Sequence, residues 1–126
     1  MRILVVDDNQ GFLNLLGDLL KEYGYEVVLA EDGKLAREAL EERPVDLIIS
    51  DVFMPTLDGV RFHSYVRDFT DAAEVPFIFV SGYDDEYTRN VVVDSTIDHF
   101  FSKTTPLETI VGLIEKYRMQ AEPKSA

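Results

Sequence analysis

Five side chains in this sequence are of types that do phosphate and metal chemistry: the carboxylates of Asp7, Asp8 and Asp51, the hydroxyl of Ser81 and the ammonium group of Lys103. Three carboxylates gathered in one place repel one another and take up protons, unless a hard divalent cation with a preference for oxygen ligands lies between them. Mg²⁺ is the expected ion, with Mn²⁺ as the alternative. A lysine and a hydroxyl beside such a cation complete a cup with positive charge on one side and hydrogen-bond donors on the other, which suits a phosphoryl group. Phosphoryl transfer needs neutralised equatorial oxygens and an in-line nucleophile, and a carboxylate such as Asp51 can be that nucleophile.

Taken singly, each of these residues is commonplace. Paired acids after a strand often only cap a helix. A lone aspartate or a Ser-Gly pair marks many turns, and a lone lysine is usually a solvated charge. What distinguishes the five is a shared address, which depends on the elements that carry them.

Short apolar runs alternate along the chain with segments that repeat apolar residues at helical spacing, the pattern of a parallel sheet built from βαβ units. The runs predict strands at Ile3–Val6, Val27–Ala30, Leu47–Ser50, Phe77–Val80 and Phe100–Ser102, with five helices between and after them. The first helix is expected to bury one broad stripe of Phe12, Leu15, Leu16, Leu19, Leu20 and Tyr23 and to stop at Gly24. The second follows Asp32 and ends before Pro44; the third follows Asp58 and is expected to bury Phe62, Tyr65, Val66 and Phe69. The fourth should be short, because Val91, Val92 and Val93 are consecutive β-branched residues. The last opens on Thr105-Pro106-Leu107-Glu108, a capping box with proline at the first helical position. Open parallel sheets bind ligands beyond the carboxyl ends of their strands, where the strand order reverses. Asp7, Asp8, Asp51, Ser81 and Lys103 all fall at such ends.

The chain has 126 residues, 24 acidic and 12 basic, for a net charge of −12, and 46% of its residues are hydrophobic. That is a single-domain length with enough apolar content to bury a core. Residues 1–118 are expected to form the domain, and 119–126, ending in Glu-Pro-Lys-Ser-Ala, a flexible tail or the start of a linker. The absence of cysteine excludes disulfides, thiolate zinc sites and a cysteine nucleophile. The apolar runs fall far short of the roughly 18 residues of a membrane span, and the N-terminus is too acidic for a secretory signal. No membrane association and a cytoplasmic location are therefore expected. The acidic surface argues against direct nucleic-acid contact. His63 and His99 have no partner at ligand spacing and are expected to be packed or solvated rather than metal-bound.

At these residues the sequence resembles the receiver domains of two-component response regulators, of the chemotaxis-receiver type. The resemblance rests on Ile3-Leu4-Val5-Val6-Asp7-Asp8-Asn9, on Asp46-Leu47-Ile48-Ile49-Ser50-Asp51-Val52-Phe53-Met54-Pro55 with Asp58-Gly59, on Val80-Ser81-Gly82 and on Phe100-Phe101-Ser102-Lys103. It implies an α/β, flavodoxin-like fold: a doubly wound five-stranded parallel sheet of order 2-1-3-4-5 with five flanking helices. It also implies that Asp51 accepts a phosphoryl group from a histidine kinase or a phosphotransfer protein. Asp8, Asp51 and the backbone carbonyl of Phe53 would bind Mg²⁺ directly, with Asp7 helping through water. Ser81 and Lys103 would hold the phosphoryl oxygens, and Phe100 takes the place of the switch aromatic, which is equally a core residue. The protein would then be a signalling switch that catalyses only its own phosphorylation and dephosphorylation. Its output would pass through the fourth helix, fifth strand and fifth helix to a protein target or an output domain, with a phosphorylation-dependent dimer among the arrangements the family allows.

Two departures from the family pattern stand out. Thr104 and Thr105 separate Lys103 from Pro106, where the family usually has a cis proline directly after the lysine; here a trans Lys103–Thr104 bond is expected, since a cis bond without proline costs about 2.5–4 kcal/mol. Thr96-Ile97 replaces the usual Gly-Ala pair before the fifth strand. Phe53 and Tyr83, which would flank the phosphoryl group, are both bulky and lack the carboxylate or amide that would hold a hydrolytic water. An aspartyl-phosphate phosphohydrolase would need an acid where Phe53 stands. An FMN carrier would need a hydroxyl-rich phosphate loop where Asp7-Asp8-Asn9 stands. A degenerate receiver would lack part of the acid, hydroxyl and lysine set.

Overall fold

Five runs dominated by β-branched, leucine and phenylalanine side chains pair edge to edge into one parallel sheet: β1 (Arg2–Val6), β2 (Glu26–Ala30), β3 (Leu47–Asp51), β4 (Phe77–Ser81) and β5 (Asp98–Ser102), in the order β2-β1-β3-β4-β5. The computed structural model describes residues 1–54, 56–83 and 86–121, without the side chain of Tyr87. Between the strands lie α1 (Gln10–Glu22), α2 (Gly33–Glu42), α3 (Gly59–Phe69) and α4 (Glu86–Arg89), and α5 (Leu107–Ala121) follows β5.

The strand side chains alternate between two cores, as a sheet covered on both faces requires. Ile3, Val5, Leu47, Ile49, Ile78 and Val80 pack with Leu13, Leu16 and Leu20 of α1 and Ile110, Val111 and Ile114 of α5. Leu4, Val6, Ile48, Phe77 and Phe79 pack on the opposite side with Ala36 of α2 and Phe62 and Val66 of α3. The register sets Val6 beside Ser50 and Asp51 beside Val80, so that the carboxyl ends of the inner strands lie level. β1 has β2 on one side and β3 on the other, which makes the gap between the loops after β1 and β3 the point of topological reversal. The loops after β1, β2 and β3 are pinned where they enter helices: the side chains of Asn9, Asp32 and Asp58 accept hydrogen bonds from the backbone N–H groups of Phe12, Leu35 and Arg61. Each such cap is worth about 1 kcal/mol.

The helix faces differ from the sequence pattern in specific places. Leu13, Leu16, Gly17 and Leu20 form the buried edge of α1, while Leu15 is 60% and Tyr23 49% exposed. The helix lies so close to the sheet that a Cβ on Gly17 would stand 2.9 Å from the Leu29 side chain, and this close seat narrows the buried stripe. In α3, Phe62, His63 and Val66 are buried, Tyr65 is half-buried and Phe69 is 78% exposed.

Among the described residues four helices of ten or more residues flank the sheet, so the fifth of the expected set is not a full helix: α4, expected to be short, is a single turn, Glu86–Arg89. Val91 to Val93 lie outside it. The backbone N–H groups of Val93 and Asp94 donate to the Asp98 carboxylate at 3.3 and 3.0 Å, so a side chain, not a helical ladder, satisfies the end of the β-branched stretch. α5 begins at Leu107, one residue past Pro106, and runs to Ala121, three residues into the segment expected to be a tail; residues 122–126 lie outside the described residues. Among the described residues no helix is long and apolar enough to cross a membrane.

Candidate functional site

The loop after β1 carries Asp7, fully buried, and Asp8, exposed; β3 ends on Asp51, 6% exposed. One carboxylate oxygen from each of the three lies within 4.8 Å of the others. Lys103, one residue past β5, reaches into this group: its Nζ stands 2.9 Å from Asp7 Oδ2 and 3.2 Å from Asp51 Oδ2. The ammonium lies over the Phe12 ring, 4.8 Å from its centroid, and the lysine backbone N–H donates to the Ser81 carbonyl at 2.8 Å. No described peptide bond is cis, Lys103–Thr104 included. The chain turns there without proline because Thr104 N–H donates to Ser102 Oγ at 3.2 Å and Thr105 N–H to the Ser102 carbonyl at 2.9 Å.

The phosphoacceptor candidate is braced by backbone. Gly59 N–H donates to the Val52 carbonyl at 2.8 Å, and a Cβ on Gly59 would stand 2.0 Å from the Asp51 carbonyl oxygen, so only glycine lets α3 start against the end of β3. Ser50 Oγ donates to that same carbonyl at 2.9 Å. Thr56, in the loop between them, has a φ of 72°, a left-handed conformation that β-branched residues avoid.

Burial first, and the charge of Asp7 second, push the Asp51 carboxyl up to about 6, against the pull of Lys103. Burial works against the Lys103 ammonium, but its close contact with Asp7 and the charges of both carboxylates outweigh this and hold its pKa above the ordinary lysine value. Asp7 Oδ1 accepts from Asn9 N–H at 2.9 Å. Asp7 Oδ2, also enclosed, has no aligned hydrogen-bond donor, only the ion-pair contact with Lys103. The donor set is therefore all oxygen and, with three carboxylates to one ammonium, carries an excess negative charge of two when ionised. A hard divalent cation fits this set in charge and in ligand type.

Residues 3–115 match the family described as the response regulator receiver domain. The chain belongs to that family. It is 32% identical over 114 residues to the transcriptional regulatory protein YvcP of Bacillus subtilis, a match that covers 90% of this chain and 47% of YvcP. It is 31% identical over 114 residues to the CAI-1 autoinducer sensor kinase/phosphatase CqsS of Vibrio cholerae, covering 90% of this chain and 17% of CqsS. The chain thus spans less than half the length of these relatives. The crystal structure of the response regulator TrrA of Thermotoga maritima, in complex with Mg²⁺ and BeF, superposes with a TM-score of 0.79 at 28% identity, covering 92% of this chain and 97% of TrrA. This receiver domain shares with its family the sheet order, the acidic pocket and the role of a signalling switch in two-component systems.

Of the residues singled out from sequence, Asp7, Asp8, Asp51 and Lys103 come together. Ser81 ends the neighbouring strand β4; it is fully buried, and its hydroxyl accepts from Tyr83 N–H at 3.0 Å. Phe53 follows two residues after Asp51 with its ring 44% exposed, packed edge-on against Tyr83 with centroids 5.3 Å apart. Phe100 is half-buried in β5 and packs against the core under α2 and α3. Phe12, expected only in the buried stripe of α1, also lies under Lys103 from the first turn after Asp7-Asp8. A buried cluster not expected from the sequence lies at the opposite end of the sheet. There Asp98 Oδ1 bonds His63 Nε2 at 2.9 Å and accepts from Arg67 Nη2 at 2.7 Å. The signal for it was a histidine set among the aromatic residues of α3.

Proposed function

We propose that Asp51 is the phosphoacceptor of this receiver domain, taking a phosphoryl group from the phosphohistidine of a kinase or phosphotransfer protein. The observation that carries the reading is the bridge of Lys103 between Asp7 and Asp51 within a three-carboxylate cluster. Asp8, Asp51 and the Phe53 carbonyl would hold Mg²⁺ or Mn²⁺, with Asp7 assisting through water. When bound, the cation would supply positive charge to the phosphoryl oxygens and to the carboxylate that receives them.

The chain's own groups do the rest. The Asp51 carboxylate oxygen attacks phosphorus in line, the phosphorus–nitrogen bond of the donor breaks, and the imidazole departs with its electron pair. Lys103, already held between the two aspartates, stays within ion-pair reach of the arriving phosphoryl oxygens. The Ser81 hydroxyl leaves Tyr83 N–H to donate to them, and the loop that bears it shifts. Phe100 follows into the space so opened. The segment from α4 to β5 is suited to reordering, because after the single turn of α4 its Val93 and Asp94 N–H groups are tied to a side chain, the Asp98 carboxylate, instead of a continuing helical ladder. With α5 it forms the face from which output passes to a protein target or output domain in the cytoplasm.

Intact-mass measurement after incubation with acetyl phosphate and Mg²⁺ tests the assignment. One phosphate should be added, and none to Asp51→Asn. Modification that survives this substitution would refute it.

A further inference from the structure

The outward face shared by α2 and α3 takes no part in the chemistry above. At its centre Phe69, 78% exposed, stacks on Tyr65 with ring centroids 6.3 Å apart. Arg37 of α2 lies over the Tyr65 ring at 4.2 Å. An aromatic ring left this open to water forfeits most of the burial energy that a phenylalanine can contribute, and marks a surface that gains by being covered. Two hollows flank the ring pair and share it. One, of about 520 Å³ toward the start of α3, has Arg37 and Arg61 as its charged lining. The other, of about 330 Å³ toward the helix ends, has Glu41 and Asp71. The face is basic at one end, aromatic in the middle and acidic at the other end.

In α2 this polarity runs against the helix's own dipole. Its first turn holds Lys34 and its last holds Glu41 and Glu42, where the dipole favours acids at the start and bases at the end. Within one chain that arrangement is unfavourable. Against an antiparallel copy it is complementary, because a two-fold axis lying in the plane of the face, perpendicular to the line from its basic to its acidic end, lays the basic end of each copy on the acidic end of the other.

We propose that this face binds a second copy of the same chain, with the Phe69 rings at the two-fold axis and Arg61 of each copy opposite Asp71 of the other. A foreign partner of one charge would match one hollow and be repelled by the other. The chain's net charge of −12 opposes association, but at physiological ionic strength charges beyond roughly 8 Å are screened and the local pairs decide. Helices of ten and eleven residues are only about 15 Å long, which sets a small interface and a weak, concentration-dependent dimer. This dimer is independent of phosphorylation and of the α4–β5–α5 face.

Sedimentation velocity on the full chain at rising concentration should show monomer passing into dimer. Phe69→Glu, at a position open to solvent, should abolish that passage while leaving the thermal midpoint unchanged. Arg61→Glu and Asp71→Arg should each be monomeric alone, since each places like charges opposite one another twice. Their equimolar mixture should dimerise as the unaltered chain does, because both contacts in the mixed pair then join opposite charges. An unaltered chain that stays monomeric, a dimer indifferent to Phe69→Glu, or a mixture as monomeric as its components would overturn the proposal.

Discussion

Replacing the phosphoacceptor candidate by its neutral isostere, Asp51→Asn, should make the metal-free protein more stable at neutral pH. In the folded chain burial and the Asp7 charge raise the Asp51 carboxyl to about 6, from an ordinary value of 3.8, even with Lys103 beside it. Each tenfold change in proton affinity is worth about 1.4 kcal/mol, so the gap corresponds to about 3 kcal/mol; solvent at the open edge of the carboxyl reduces the expected effect to about 1–3 kcal/mol. The sign follows from linkage. Below the unfolded value both states carry the proton and the full stability is present. As pH rises through about 6, the folded chain must ionise Asp51 beside Asp7, a penalty the unfolded chain does not bear, and that stability is lost. Urea unfolding of both proteins in chelator between pH 4 and pH 8 measures this. The variant should be more stable at the upper end, and the two should converge toward the lower. An Asp51→Asn protein that is less stable at pH 8, or a difference that does not change with pH, would refute the account of the pocket as mutually repelling carboxylates.

Asp98→Ala should lower stability by about 3–5 kcal/mol in a denaturant titration, because it strands the buried His63 side chain and the N–H groups of Val93 and Asp94 and takes the carboxylate partner from Arg67. Burial pushes the Asp98 carboxyl up, but the Asp94 N–H, Arg67 and His63 outweigh it and hold its pKa below the usual range, so its contribution is present at neutral pH and fades as pH falls through that lowered value; a loss under about 1 kcal/mol would contradict this. Thr56→Gly should gain about 0.5–1 kcal/mol in thermal melting by relieving the left-handed φ of 72°, with no gain for Thr56→Ala. With Phe53 and Tyr83 packed edge to face, Phe53→Asn or Tyr83→Glu should speed decay of the phosphorylated protein by roughly tenfold, about 1.4 kcal/mol in barrier, by admitting and orienting a water; unchanged decay in both variants would reject the shielding.

Much of the site was legible in the amino-acid sequence, for a local reason. In a βαβ chain the end of each apolar run marks one edge of the sheet, and polar residues directly after the runs must gather there whatever the details of packing. Asp7, Asp8, Asp51 and Lys103 needed only their positions relative to Ile3–Val6, Leu47–Ser50 and Phe100–Ser102 to be placed together. The helix caps at Asn9, Asp32 and Asp58 are equally local, since each is a side chain bonded to a backbone N–H three residues on.

Sequence by itself therefore determined the alternation of strands and helices, the edge at which the acids, hydroxyl and lysine collect, and the weakness of the fourth helix. Tertiary structure decided which residues of an amphipathic helix are covered. Periodicity gives a stripe, but its width depends on how closely the helix sits: Gly17 against Leu29 narrows it in α1, and in α3 the buried edge takes in His63, bonded to Asp98, and leaves Phe69 at the helix end exposed. It also decided that the Val91–Val93 stretch ends in a loop tied to Asp98 and that Lys103 turns inward without a following proline. These depend on partners that include Asp98 for Asp94 and, 52 residues away along the chain, Asp51 for Lys103, and no pattern within a few residues records whether a distant carboxylate arrives to satisfy them.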